Sequence, residues 1–125
     1  MFDDESVRIA GHNAGYFDRL VCESHKLGNP TSLIDTILLH KLGASEYRHS
    51  LGFVGSVLTD VPAWKADHAG VTAKTDEELH QYCATDVAVT SRIIQPLLEM
   101  VWERKQTHLI DKDLRLQSLC AGMRR

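Results

Sequence analysis

Asp86 is the residue of this chain whose position most clearly suggests chemistry. On a helical wheel the apolar residues of segment 76–102 form one stripe, and Asp86 falls near its middle. A buried ionised carboxylate is costly unless it is hydrogen-bonded, paired or bound to a metal. Tyr82 precedes Asp86 by one helical turn, so the phenol and the carboxylate project from the same face. The pair suits a metal-dependent site, and it also suits a core acid that accepts hydrogen bonds from threonine or backbone donors.

A second polar cluster lies near the N-terminus, in the run GHNAGYFD at residues 11–18. It places the Asn13 amide at the end of a predicted strand and the Asp18 carboxylate in the first turn of the next helix. Asp18 by itself is ordinary, because acids favour helix N-termini. The interest of this cluster comes from its combination with Tyr82 and Asp86.

The two clusters together resemble the second and third motifs of the proofreading 3′–5′ exonucleases, the tyrosine-bearing branch of the DEDD superfamily with an RNase H-like fold. The matching residues are N-x3-F-D, ending at Asp18, and Y-x3-D, ending at Asp86. Residues 34–38 are similar to the strand-to-helix segment that follows the second motif. Residues 79–90 are similar to the third-motif helix of family A DNA polymerases, particularly those of phages. Residues 116–125 are similar to the stretch where such polymerases leave the exonuclease domain.

The resemblance implies an α/β fold that is the C-terminal part of an RNase H-like exonuclease domain, mostly α-helical with two short strands. Residues 1–105 would form this partial domain, and residues 106–125 would begin the connection to a polymerase region. The implied activity is two-metal hydrolysis of the terminal 3′ phosphodiester of single-stranded DNA, with Mg²⁺ or Mn²⁺ as cofactor. The implied partners are a single-stranded DNA 3′ end and the polymerase region, in the same chain or a separate one.

The resemblance also assigns roles to three residues. Asp18 and Asp86 would ligate the metals, Asp86 at the metal that holds the attacking water and Asp18 mainly through water. Tyr82 would orient the nucleophile through its hydroxyl group.

Four further residues are expected to contact the substrate. Asn13 and Phe17 lie within the second motif, where Asn13 would support either the strand turn or the terminal nucleotide. Trp64 and Lys65, in the connector, could stack a base and contact a phosphate. The alternative for Trp64 is that it anchors a long loop to the body of the protein.

The first motif of the family, a D-x-E pair on the first strand, is missing. Asp3, Asp4 and Glu5 have the right letters but lie too close to Asn13. We therefore expect a fragment that begins just before the second motif, with an incomplete site unless another chain supplies the missing acids. The alternative function is a non-catalytic exonuclease-like helical domain that serves as a structural or interaction module.

Composition limits the other possibilities. The formal charge is −3, so nucleic-acid binding by bulk positive charge is excluded and a local site is required. Three cysteines do not suggest a disulfide framework, and neither a signal peptide nor a membrane span is visible, which predicts a cytoplasmic protein. The pairs Cys22-x2-His25 and His80-x2-Cys83 have a zinc-like composition, but both lie on predicted helices. The other histidines are expected at the surface or in ordinary polar contacts.

The elements that must position these residues follow from periodicity and capping signals. Two short strands are predicted at Val7–Ala10 and Leu33–Ile34. Helices are predicted over residues 16–27 (ended by the Gly28-Asn29-Pro30 run), 36–42 (capped by Asp35), 51–58, 76–102 (containing Pro96) and 107–123, with a connector over residues 60–75.

Overall fold

The computed structural model describes residues 6–28, 33–64 and 75–123. Over these ranges the chain is mixed α/β and mostly helical, as the sequence predicts, and the RNase H-like topology stays a prediction. The elements in chain order are β1 (Ile9–Gly11), α1 (Phe17–Ser24), β2 (Leu33–Asp35), α2 (Thr36–Gly43), α3 (Leu51–Leu58), α4 (Asp76–Glu103), a short 3₁₀ turn (Thr107–Leu109) and α5 (Ile110–Gly122). Among them no helix is long and apolar enough to cross a bilayer.

The two strands pair in parallel, with Ile9 opposite Leu33 and Gly11 opposite Asp35. Strands that run in parallel cannot be joined by a tight hairpin, so α1 lies on the crossover between them. Because both strands end at the same edge of the sheet, the loop that follows β1 lies beside the start of α2. This arrangement brings the second-motif residues next to Asp35.

The hydrophobic core forms where the C-terminal half of α4 packs against α2 and α3. Its buried residues are Leu39, Leu51, Val54, Val89, Ile93, Leu97 and Val101. The apolar stripe predicted for α4 is therefore correct in its second half only. Leu79 is 47% exposed and Cys83 is also exposed, because in the described ranges α2 and α3 cover α4 from Val89 onward.

Helix α1 ends earlier than the sequence predicts, at Ser24 rather than near Leu27. Lys26 has a positive φ of 56°, and the amide of Leu27 bonds the Cys22 carbonyl while that of Lys26 bonds Glu23. These two bonds form a Schellman motif, which satisfies the last carbonyls of the helix. The left-handed residue of the cap is therefore Lys26, two residues before Gly28.

Helix α4 ends by the same motif. Lys105 has a φ of 57°, its amide bonds the Trp102 carbonyl, and the Gln106 amide bonds that of Val101. Helices that end in lysine rather than glycine are hard to locate from sequence, because glycine is the usual residue at this position. By contrast, α3 begins and ends at its predicted residues and α2 is one residue longer than predicted.

Asp35 joins the elements around the sheet edge. Its carboxylate is 1% exposed and accepts four hydrogen bonds. The donors are the backbone amides of Asn13 (2.7 Å), Gly15 (3.1 Å) and Ile37 (3.1 Å) and the Gln117 side-chain amide (2.7 Å). Four donors from three separate segments compensate the cost of burying this charge. The predicted capping role, the bond from Ile37, is confirmed but is only part of what Asp35 does.

We expect Asp35→Ala to lower the free energy of unfolding by about 3 kcal/mol, because it leaves buried donors without an acceptor. Asp35→Asn should cost about 2 kcal/mol, since asparagine has one acceptor oxygen and its NH2 group would face donors that now bond the second carboxylate oxygen. Urea denaturation followed by circular dichroism measures both values. The control is Asp60→Ala, at an exposed acid, which should change the free energy by less than about 0.5 kcal/mol. Equal losses in all three variants would contradict the role assigned to Asp35.

Candidate functional site

Asp86 lies half-buried on α4 and is held by a tryptophan. The Trp64 indole N–H donates to Asp86 Oδ1 at 2.6 Å. Trp64 reaches α4 by passing over α3 at Gly55, where an added Cβ would lie 2.8 Å from Trp64 Cη2 and 2.8 Å from Val89 Cγ1. A glycine is therefore required at position 55, and the carboxylate is fixed by a donor from the connector.

Tyr82 is half-buried one turn before Asp86, on the same face of α4, as predicted. Trp64 anchors the first part of the connector to α4 through its indole, which is the alternative that the sequence left open. Its role in stacking a base stays a prediction, and Lys65 lies outside the described residues. Asp3, Asp4 and Glu5 also lie outside them.

The second-motif residues sit on the loop that Asp35 holds. Asn13 has a φ of 62°, in the left-handed region that asparagine tolerates better than most residues, and its amide bonds Asp35. Asn13 thus supports the strand turn, one of the two roles predicted for it. Asp18 is exposed in the first turn of α1, and Phe17 is 65% exposed beside it. Both side chains are accessible to a ligand, and their contact with substrate stays a prediction.

The described residues do not by themselves form a complete metal centre. Within residues 6–28, 33–64 and 75–123, no group of three or more His, Cys, Asp and Glu side chains is placed to hold a metal ion. Two-metal sites use several carboxylates, so Asp18 and Asp86 do not amount to one. Cys22, His25, His80 and Cys83 all lie within these ranges, and the structure does not gather them into such a group.

Three histidines form a connected cluster that the sequence did not predict. His40 is 4% exposed, and its Nδ1 lies 2.6 Å from Nδ1 of His49. His12 Nε2 donates to the His49 carbonyl oxygen at 2.6 Å, and its Nδ1 lies 2.8 Å from the Thr36 hydroxyl oxygen. The cluster ties the loop after β1 to α2 and to the loop before α3. Of the two positions expected for such histidines, at the surface or in a polar contact, His40 has the second, since it is buried and contacts His49.

The His40–His49 contact restricts protonation. Two ring nitrogens at hydrogen-bond distance can share one proton, but two N–H groups would repel each other. Burial lowers the pKa of His40, with further lowering by the neighbouring His49 and His12 and a smaller opposing effect from Glu46. The folded cluster therefore favours neutral His40.

Comparisons of the chain with protein families, curated proteins and solved structures found no match. The resemblance to exonucleases therefore depends on the motif residues and on where the fold puts them. The structure brings Tyr82, Asp86 and Trp64 together on one side of α4, and it places Asn13, Phe17 and Asp18 on a second segment fixed by Asp35.

We expect the chain to lose stability on acidification through His40. Because the pKa of His40 is lower in the folded chain than its ordinary value of 6.5, the unfolded chain binds the proton more readily. This contribution to stability is complete above the ordinary pKa and is lost as the pH falls toward the folded pKa. Urea denaturation measures the free energy of unfolding at about pH 7.5 and about pH 5.5. The decrease between these two pH values should be smaller for His40→Gln than for the unchanged chain. The exposed-residue control, His108→Gln, should keep the full difference.

Removing the indole donor should weaken the fold near Asp86. Trp64→Phe deletes the hydrogen bond to a half-buried carboxylate, for which we expect a loss of about 2 kcal/mol in urea denaturation. Trp102→Phe is the matched control, because Trp102 is 73% exposed and its replacement should cost less than about 0.5 kcal/mol. When Asp86→Ala is already present, Trp64→Phe should lower the free energy of unfolding by less. An unchanged loss would exclude the hydrogen bond as its cause.

Proposed function

We propose that this chain is part of a 3′–5′ exonuclease domain of the kind found in family A DNA polymerases, in particular those of phages. It would contribute Asp18, Tyr82 and Asp86 to hydrolysis of the terminal phosphodiester of single-stranded DNA. Mg²⁺ or Mn²⁺ would be the cofactor, and acids beyond these two would complete the metal set. A polymerase region would be its partner.

The observation that carries the proposal is the placement of Tyr82 and Asp86. Both are half-buried one turn apart on α4, in the third-motif order, and the Asp86 carboxylate is held in place by Trp64. A fixed carboxylate on a helix is what metal-dependent phosphodiester hydrolysis needs, since catalytic groups must be held in position before substrate binds. The exposed Asp18, in the first turn of α1 directly after the loop fixed by Asp35, supports the same function.

The second candidate is a non-catalytic exonuclease-like domain that serves as a structural or interaction module. It is favoured by the incomplete metal set in the described ranges and by the bond from Trp64, which gives Asp86 a structural partner. The two candidates differ in whether Asp86 is needed for catalysis or only for stability.

A trimming assay separates them. The purified chain is incubated with a 5′-labelled single-stranded oligodeoxynucleotide in Mg²⁺, in Mn²⁺ or in EDTA. We expect slow, metal-dependent shortening from the 3′ end, one nucleotide at a time. Asp86→Ala and Asp18→Ala should each reduce the rate at least about 100-fold, and Tyr82→Phe about tenfold, because these groups act at the reacting phosphate.

The control for the trimming assay is Asp60→Ala, which removes an exposed acid and should leave the rate unchanged. Circular dichroism establishes that each variant is folded. Shortening that persists in Asp86→Ala would overturn the role of this residue. No metal-dependent trimming, either by the chain alone or after addition of a second chain that supplies the first-motif acids, would make the chain the non-catalytic module.

A further inference from the structure

A cavity of about 650 Å³ lies between β2, α1, α4 and α5. This volume is within the range of roughly 300–1,000 Å³ that is typical of small-molecule sites. Asp18, Tyr82 and Asp86 do not line it, so it is separate from the residues of the proposed nuclease site. We call it the arginine cavity, after the side chains described next.

Three arginines line the arginine cavity, namely Arg8, Arg19 and Arg115, against one acid, Asp111. This local excess of positive charge contrasts with a chain whose formal charge is −3. Arg19 is oriented by its bond to the Ser118 hydroxyl at 2.6 Å, and it lies 3.7 Å from Glu23. Within the described ranges the side chains of Arg8 and Arg115 have no ion-pair partner.

The remainder of the lining is largely apolar, with Ile34, Leu39, Leu98, Ile110 and Leu114 among its residues. A guanidinium group can bind two phosphate oxygens with two parallel hydrogen bonds. Its planar donors make this binding more specific in geometry than binding by a lysine ammonium group. An apolar wall beside them provides surface for the uncharged part of a ligand. The combination suits a molecule with a phosphate at one end and an apolar or flat body at the other.

We propose that the arginine cavity binds a phosphate monoester on an apolar or flat body, such as a nucleoside 5′-monophosphate. Arg8, Arg19 and Arg115 contact the phosphate, and the leucine and isoleucine side chains contact the body. The proposal is independent of the nuclease activity, because the cavity contains none of the residues assigned to hydrolysis.

Isothermal titration calorimetry of the whole chain tests this proposal, with deoxyadenosine 5′-monophosphate, deoxyadenosine and inorganic phosphate as probes. All titrations contain EDTA, so that metal-dependent binding elsewhere does not contribute. The monophosphate should bind at least about tenfold more tightly than either deoxyadenosine or inorganic phosphate, since only it uses both parts of the cavity. Arg115→Gln and Arg8→Gln should each weaken its binding about tenfold or more.

Two further variants separate a built site from bulk charge. Arg92→Gln removes the same charge from an exposed position outside the cavity and should leave the affinity within about twofold. Leu114→Ala should weaken binding of the monophosphate but not of inorganic phosphate. Equal affinity for deoxyadenosine and its monophosphate, an absence of saturable binding, or equal losses in Arg92→Gln and Arg115→Gln would each overturn the proposal.

Discussion

The arrangement of this protein depends on one buried carboxylate. Asp35 takes donors from the loop after β1, from the first turn of α2 and from Gln117 on α5, so it fixes three segments that are distant along the chain. With a two-stranded sheet of three residues per strand, backbone pairing alone supplies few bonds across these segments. The hydrogen bonds of a buried carboxylate are directional and strong in a low-dielectric interior. A shift in strand register or a rotation of the loop would break them. Gly15 contributes by leaving room for the Gln117 side chain.

A second constraint is that α4 serves two purposes along its length. From Val89 to Val101 its apolar stripe packs into the core against α2 and α3, while before Val89 the helix is half-buried or exposed. Asp86 sits near this boundary, where a carboxylate keeps partial hydration and also receives the Trp64 indole N–H. The position limits the desolvation cost that a fully buried acid would carry. At this boundary the Asp86 carboxylate is held in place and is still partly exposed to solvent.

Among the described residues, the buried polar side chains Asp35, Thr36 and His40 lie in β2 and α2, next to the sheet edge. The histidine cluster ties the loop after β1 to α2 next to Asp35. Burial and the neighbouring histidines lower the pKa of His40, which favours its neutral form. The arginine cavity opens where β2, α1 and α5 meet, with Gln117 and Ser118 in its lining. The loop after β1, with His12 and Asn13, and the loop before α3, with His49, are thus held by hydrogen bonds to side chains rather than by a wide sheet. Asn13 and the Gln117 side of the arginine cavity depend on these bonds for their positions, whereas Tyr82 and Asp86 are positioned by α4 and by the Trp64 indole.

The sequence alone determined the type and order of the elements, the Asp35 cap, the limits of α3 and the shared face of Tyr82 and Asp86, because each follows from local periodicity or capping. It could not predict the lysine-terminated Schellman motifs, because αL conformation at lysine has no strong residue signature. Nor could it predict the bond from Gln117 to Asp35, the approach of Trp64 to Asp86 or the contact between His40 and His49. These contacts form only after the helices have packed against one another. Because the hydrophobic effect is non-directional, the spacing of residues along the chain does not show which helices will pack together. Only the tertiary structure decided which acids are buried, which partners they have, and which three arginines line one cavity.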